Sequence, residues 1–146
     1  MKISTKGRYA LRMMLDIAAN EKAGYVTLRD IAERQDISKK YLEQIALQLT
    51  QNGVLRAVRG HQGGYKLVRA PGEYTVGEIL RVMEGSLAPV ACLEQAPNLC
   101  ERCGICPTLP IWEGLEKRVN EYLDGITLQD VMDQSPAPDQ AQMGEK

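Results

Sequence analysis

Apolar positions recur along this chain in three- and four-residue steps, the spacing of helices that bury one face. Thr5 is read as the cap of a first helix, with Ala10, Leu11, Met14, Leu15 and Ala18 inward, Lys6, Arg12, Asp16 and Asn20 polar, and Gly24 as its end. Thr27-Leu28-Arg29-Asp30 has the form of a capping box with Asp in the Glu place and opens a short helix through Ile31 and Ala32. Ser38 caps a third helix, with Leu42, Ile45, Ala46 and Leu49 inward and Lys39, Lys40, Tyr41, Glu43 and Gln44 outward near its start. The short spacing between the last two is that of a helix-turn-helix.

The period then changes. Val54–Val58 and Tyr65–Val68 are short strand-like runs around Arg59-Gly60-His61-Gln62-Gly63-Gly64, a hairpin placed as a wing after the helix-turn-helix. A plain hairpin turn is the simpler account of these glycines, and the element order argues against a nucleotide-cradling loop. His61, the sole histidine, is read as a surface or DNA-facing residue.

Helical spacing returns. Thr75-Val76-Gly77-Glu78 opens a helix through Ile79, Leu80, Val82 and Met83 that stops at Gly85. Pro110 begins a long helix whose apolar stripe is Trp112, Leu115, Val119, Tyr122 and Leu123, ending at Gly125. A small winged-helix core has little need of this stripe, so it is read as a dimerisation helix rather than an internal one. Thr127-Leu128-Gln129-Asp130 caps a last short helix, and a Pro- and Gln-rich tail from Gln134 is expected to be disordered. The fold expected is mainly α with a small β-hairpin. A winged helix-turn-helix occupies residues 1–70, and a helix, a cysteine loop (92–106) and a dimerisation helix occupy 71–133.

Charge sharpens this picture. Residues 1–70 carry 13 Lys+Arg against 6 Asp+Glu, a net +7, whereas residues 71–146 carry 5 against 13, a net −8. The first half is suited to a polyanion. No run reaches transmembrane length and no apolar leader follows Met1, so a soluble cytoplasmic protein without membrane partners is expected. One histidine, and no nucleophile with a base near it in sequence, argue against an enzyme.

All four cysteines fall in one stretch, Cys92, Cys100, Cys103 and Cys106, among Pro, Gly and Asn residues that hold no long helix or strand. A reducing compartment argues against disulfides. Zinc is the lesser metal reading, because Cys100, Cys103 and Cys106 run consecutively at x2 spacing instead of in two separated pairs. That spacing, followed by Pro107, matches iron–sulfur ligation better.

The opening Met1–Ala10, the segment Ile37–Gln44, the wing with Val58-Arg59-Gly60 and Gly63-Gly64-Tyr65, and Ile126-Thr127-Leu128 resemble the Rrf2 family of bacterial transcription regulators, from residue 1 to about 133. The cysteine loop is most similar to that of its cluster-sensing members. The resemblance implies a homodimer on a pseudo-palindromic double-stranded DNA operator, with a cluster in each subunit. It also implies control of iron–sulfur biogenesis or related genes. Cys92, Cys100 and Cys106 match the family's three cysteine ligands. The fourth family ligand, a histidine or an N-terminal acid, is replaced here by Leu109 or Arg8, which leaves Cys103 as the substitute. The resemblance favours [2Fe-2S], the x2 spacing [4Fe-4S].

For DNA, the resemblance points to Tyr41, Glu43, Gln44 and Arg59. Their chemistry agrees: glutamine can pair with adenine, a carboxylate accepts from cytosine, and arginine suits a narrow minor groove. Lys39, Lys40, Arg56 and Lys66 are expected at phosphates. Two other functions fit the cysteines: a regulator of cysteine metabolism or redox stress whose thiols sense directly or through a partner, and an electron-transfer module. The latter leaves the basic half without a use.

Overall fold

The computed structural model describes residues 1–134. Ser4, not Thr5, caps α1 (Thr5–Asn20), its hydroxyl accepting from the Gly7 amide. Ser4 is the extended residue, and Thr5 already lies in the first turn. A 3-10 turn at Glu21–Ala23 carries the chain to Gly24 at φ 129°. The buried face of α1 includes Met13 and Ile17 as well as Ala10, Met14 and Ala18, with Leu11 and Leu15 packed at its edge.

Asp16, expected on the polar face, is buried. Its carboxylate accepts two bonds from the Arg34 guanidinium, at 3.0 and 2.7 Å, and one from Gln35 Nε2 at 3.0 Å. A buried carboxylate is tolerable only with such partners, and periodicity on α1 alone cannot show a cation arriving from another helix.

Helix α2 (Leu28–Gln35) is capped by Thr27, and α3 (Lys39–Gln51) by Ser38. Asp36 makes the turn between them in the left-handed region, φ 53°. The residues of α3 expected inward, Leu42, Ile45, Ala46 and Leu49, are its buried residues.

Strands β1 (Leu55–Val58) and β2 (Gly64–Leu67) pair antiparallel, Leu55 opposite Leu67 and Val58 opposite Gly64. The hairpin is joined to the α1–α2 connection by reciprocal bonds between Val26 and Tyr65, at 2.9 and 2.8 Å. Gly64, at φ 144°, lies against the Val26 backbone so closely that a Cβ would collide with it.

Helix α4 (Val76–Glu84) packs across α1 and ends at Gly85. Tyr74, fully buried, ties its entrance to the wing: its hydroxyl accepts from the Val68 and Arg69 amides and donates to Val54 O. The Thr75 cap is half a box, since Glu78 pairs with Arg69 instead of returning to Thr75. At the start of α6 (Leu128–Gln134) both halves form, Asp130 N to Thr127 Oγ1 at 3.0 Å and Thr127 N to Asp130 Oδ2 at 2.9 Å. Gln134, expected to begin the tail, is helical in α6 and is the last described residue; the rest of the expected tail lies outside the described residues.

Between α4 and α5 (Leu109–Asp124) the chain is irregular apart from a 3-10 turn at Ala91–Leu93. Leu109 is the one buried residue of α5. Arg81 anchors the helix from α4, reaching Asp124 at 2.7 and 3.0 Å and Asn120 at 2.8 Å.

Candidate nucleic-acid interface and cysteine loop

The Ser38 cap turns the first residues of α3 outward. Lys39, Lys40, Glu43 and Gln44 are exposed, in one band along the helix. Tyr41 was expected outward with them but is half-buried, its ring edge-on to Tyr9 with centroids 5.6 Å apart. Arg12 lies over the Tyr9 ring at 5.2 Å and also bonds the Gln35 side chain and carbonyl. Tyr9 and Arg12 thus brace the turn before α3, a role that their own helix's periodicity does not reveal.

Arg56 and Arg59 are exposed on the wing, as is His61 at its tip. Arg56 stands directly opposite Lys66 in the hairpin. Like charges placed so cost stability in an isolated sheet and lose that cost beside a polyanion. The Lys66 ammonium rests 4.7 Å from the Tyr25 ring centre, held at the hairpin by a cation–π contact. A groove of about 400 Å³ runs between α3 and the wing, lined by Glu43, Leu47, Thr50, Ala57, Val58 and Tyr65 among others.

The four cysteines are free thiols, Cys100 and Cys103 exposed, Cys92 and Cys106 half-buried. Asn98 organises the middle of their loop, its Oδ1 accepting from the Cys100 amide at 2.9 Å. Cys103 N bonds Cys100 O at 3.1 Å, closing a turn between two of the thiols. Cys106 Sγ sits 3.4 Å from Thr108 Oγ1. That hydroxyl, then backbone amides near the start of α5, hold the Cys106 thiol below its usual range. Among the described residues no three metal-ligating side chains converge. The loop therefore carries the expected ligands in sequence without gathering them.

The exposed side of α5 includes Ile111, Leu115 and Tyr122, the last 66% exposed. Met1 and Ile3 join Val119, Tyr122 and Leu123 around an apolar groove of about 340 Å³.

Residues 3–134 match the Rrf2 family model, described as an iron-dependent transcriptional regulator. The chain belongs to the Rrf2 family. It is 41% identical over 128 residues to the HTH-type transcriptional regulator IscR of Citrobacter koseri, which covers 88% of this chain and 77% of that protein. Among solved structures, T. potens IscR superposes with a TM-score of 0.73 at 38% identity, covering 97% of this chain and 96% of that one. CymR, described as the global cysteine regulator of B. subtilis, superposes with a TM-score of 0.75 at 34% identity, covering 93% of this chain and 99% of that one.

The family resemblance and the winged-helix fold class read from the sequence are both borne out, and the chain is an Rrf2-type, DNA-binding transcription regulator. No helix among the described residues is long and apolar enough to cross a membrane.

Proposed function

We propose that this Rrf2 regulator acts as a homodimer whose DNA affinity answers to an iron–sulfur cluster held by Cys92, Cys100, Cys103 and Cys106. The observation that carries the reading is the thiol loop: four free cysteines on one irregular segment between α4 and α5. By the chemistry of the donors the residues fit a cluster. Thiolates are the soft ligands that iron–sulfur groups take, and no helix or strand long enough to hold these four apart intervenes. When bound, the cluster supplies a redox- and iron-sensitive charge centre. Because the four thiols lie on an irregular segment, cluster binding would fix that segment's conformation. The family resemblance of the cysteine loop favours [2Fe-2S], the preferred type, and the x2 spacing favours [4Fe-4S]; Cys103 stands in for the ligand that Leu109 and Arg8 cannot provide.

On DNA, α3 enters the major groove with Glu43 and Gln44 at base edges, and Arg59 reaches the minor groove from the wing. Lys39, Lys40, Arg56 and Lys66 neutralise phosphates, and Tyr41, seated on Tyr9, contacts the backbone beside them. The exposed stripe of α5 pairs two copies, which sets the spacing of two recognition helices on a pseudo-palindromic operator.

The loop begins eight residues after α4 ends, and α4 holds both α1 and α3. Glu84 Oε1 accepts from Ser4 N at 2.9 Å and Ser4 Oγ at 2.7 Å, and Val82 O accepts from Gln48 Nε2 at 2.8 Å. Ordering the loop thereby biases the helix that reads DNA, with a coupling of about 1–3 kcal/mol as the usual range.

The CymR neighbours favour a second reading, in which the thiols sense cysteine or redox status directly. Anaerobic purification with visible and Mössbauer spectra, and iron and zinc counted per chain, separates the two. A brown protein with two or four irons per subunit supports the cluster and gives its type. A colourless protein without iron overturns it; one zinc then makes the loop a structural staple, and no metal leaves the thiol sensor.

A further inference from the structure

Leu47 is 60% exposed on α3, one turn beyond Glu43 and on the same band of the helix. Across the groove, on β1, Val58 is 42% exposed directly before Arg59. A single exposed aliphatic residue is ordinary. Here two of them form facing walls of one groove, continuous with the DNA-reading face and bounded by Glu43 and Arg59. A strongly charged face that keeps apolar side chains at its centre is built for a partner with an apolar group set among charges.

Double-stranded DNA offers one such group in the major groove, the C5-methyl of thymine. We infer that Leu47, backed by Val58 across the groove, is a specificity-determining residue that contacts a thymine methyl in each half-site, next to the base pair addressed by Glu43. The inference rests on the reading that α3 lies in the major groove, and it adds a preference for the methyl itself, which no hydrogen bond reads. A cytosine at that position presents no methyl, so the contact selects thymine by shape and apolar burial. The other apolar surface near this groove is the deoxyribose of the strand between helix and wing, which is the same for every base.

The test uses the full-length dimer and an operator that the wild-type protein selects from random-sequence duplexes. Each thymine of the half-site is replaced in turn by deoxyuridine, which pairs identically but lacks the methyl, and affinity is read by fluorescence anisotropy at one salt concentration. At one thymine the replacement is expected to weaken wild-type binding about fourfold, the factor for burying one methyl. Leu47→Ala is expected to weaken binding to the thymine operator by a similar or larger factor and to bind the thymine and uracil operators equally. Leu47→Gln, which keeps length and helix propensity on an exposed site, is expected to do the same if the alanine variant folds poorly.

The inference is overturned if no thymine is sensitive in the wild type. It is also overturned if the uracil penalty persists unchanged in both variants, or if Leu47→Ala loses affinity equally on both operators, the signature of sugar contact alone. Failure of the wild type to select any sequence would overturn the major-groove reading as well, and it is recognisable because it precedes every substitution.

Discussion

Gln48, on α3, donates its side-chain amide to the carbonyl of Val82 in the last turn of α4, 2.8 Å from nitrogen to oxygen. In a longer helix that carbonyl would accept from the residue four positions on, but α4 stops at Gly85, φ 80°. A side chain of α3, the helix proposed to read DNA, therefore caps the helix that leads into the cysteine loop. Gln48→Ala is expected to cost about 1 kcal/mol of stability by urea titration. It is also expected to shrink the ratio of operator affinities between the cluster-loaded and iron-free proteins. An unchanged ratio would place the coupling elsewhere.

Tyr74 serves three backbone groups with one hydroxyl. Tyr74→Phe strands two partly buried amides and a buried carbonyl, at an expected cost of about 1–3 kcal/mol, with little change in the fold of the rest. Equilibrium denaturation measures the loss, and hydrogen exchange at Val68 and Arg69 localises it.

The Asp16–Arg34 pair should be asymmetric on mutation. Arg34→Ala leaves a buried carboxylate with Gln35 as its remaining partner and is expected to cost about 3 kcal/mol, whereas Asp16→Asn keeps the volume and a hydrogen-bonding side chain and should cost less. The Asp16 hydrogen bond holds the Arg34 pKa above its ordinary value. A raised cationic pKa stabilises at every pH below the unfolded value and is lost only as pH climbs through the folded one. For arginine that window lies in strong alkali, so the wild-type minus Asp16→Asn difference should contain no Arg34 titration between about pH 5 and 9.

Thr108 lowers the Cys106 thiol's pKa, so more thiolate stands at neutral pH than in an unassisted thiol. In metal-free reduced protein, Thr108→Val is expected to slow alkylation of Cys106 at pH 7 and to shift its pH–rate profile upward, as followed by peptide mass spectrometry. An unmoved profile would refute the assignment.

The outer side of α5 carries Ile111, Leu115 and Tyr122 in water, a stripe that association would bury. Tyr122→Glu is expected to shift sedimentation toward monomer and weaken binding to a two-half-site operator far more than to a single half-site.

Local chemistry was legible where one segment settles its own conformation. Ser38, Thr75 and Thr127 announce helix starts, Gly85 a stop, and the glycines from Gly60 to Gly64 a hairpin turn, because caps and positive φ angles are decided by the residue and its neighbours. The inward set Leu42, Ile45, Ala46 and Leu49 follows from periodicity for the same reason. The outward lysines, Glu43 and Gln44 follow with it.

Tertiary structure decided what depends on partners distant in sequence. Asp16 is buried because Arg34 and Gln35 come to it from α2, Tyr41 is drawn inward by Tyr9, and Lys66 is held over Tyr25. The four cysteines are plain in the sequence, but the contacts that tie α4, which leads into their loop, to α3 and to the start of α1 are Gln48–Val82 and Ser4–Glu84, pairs separated by 34 and 80 residues. Periodicity is a property of one helix and cannot report on a contact made by the folding of two.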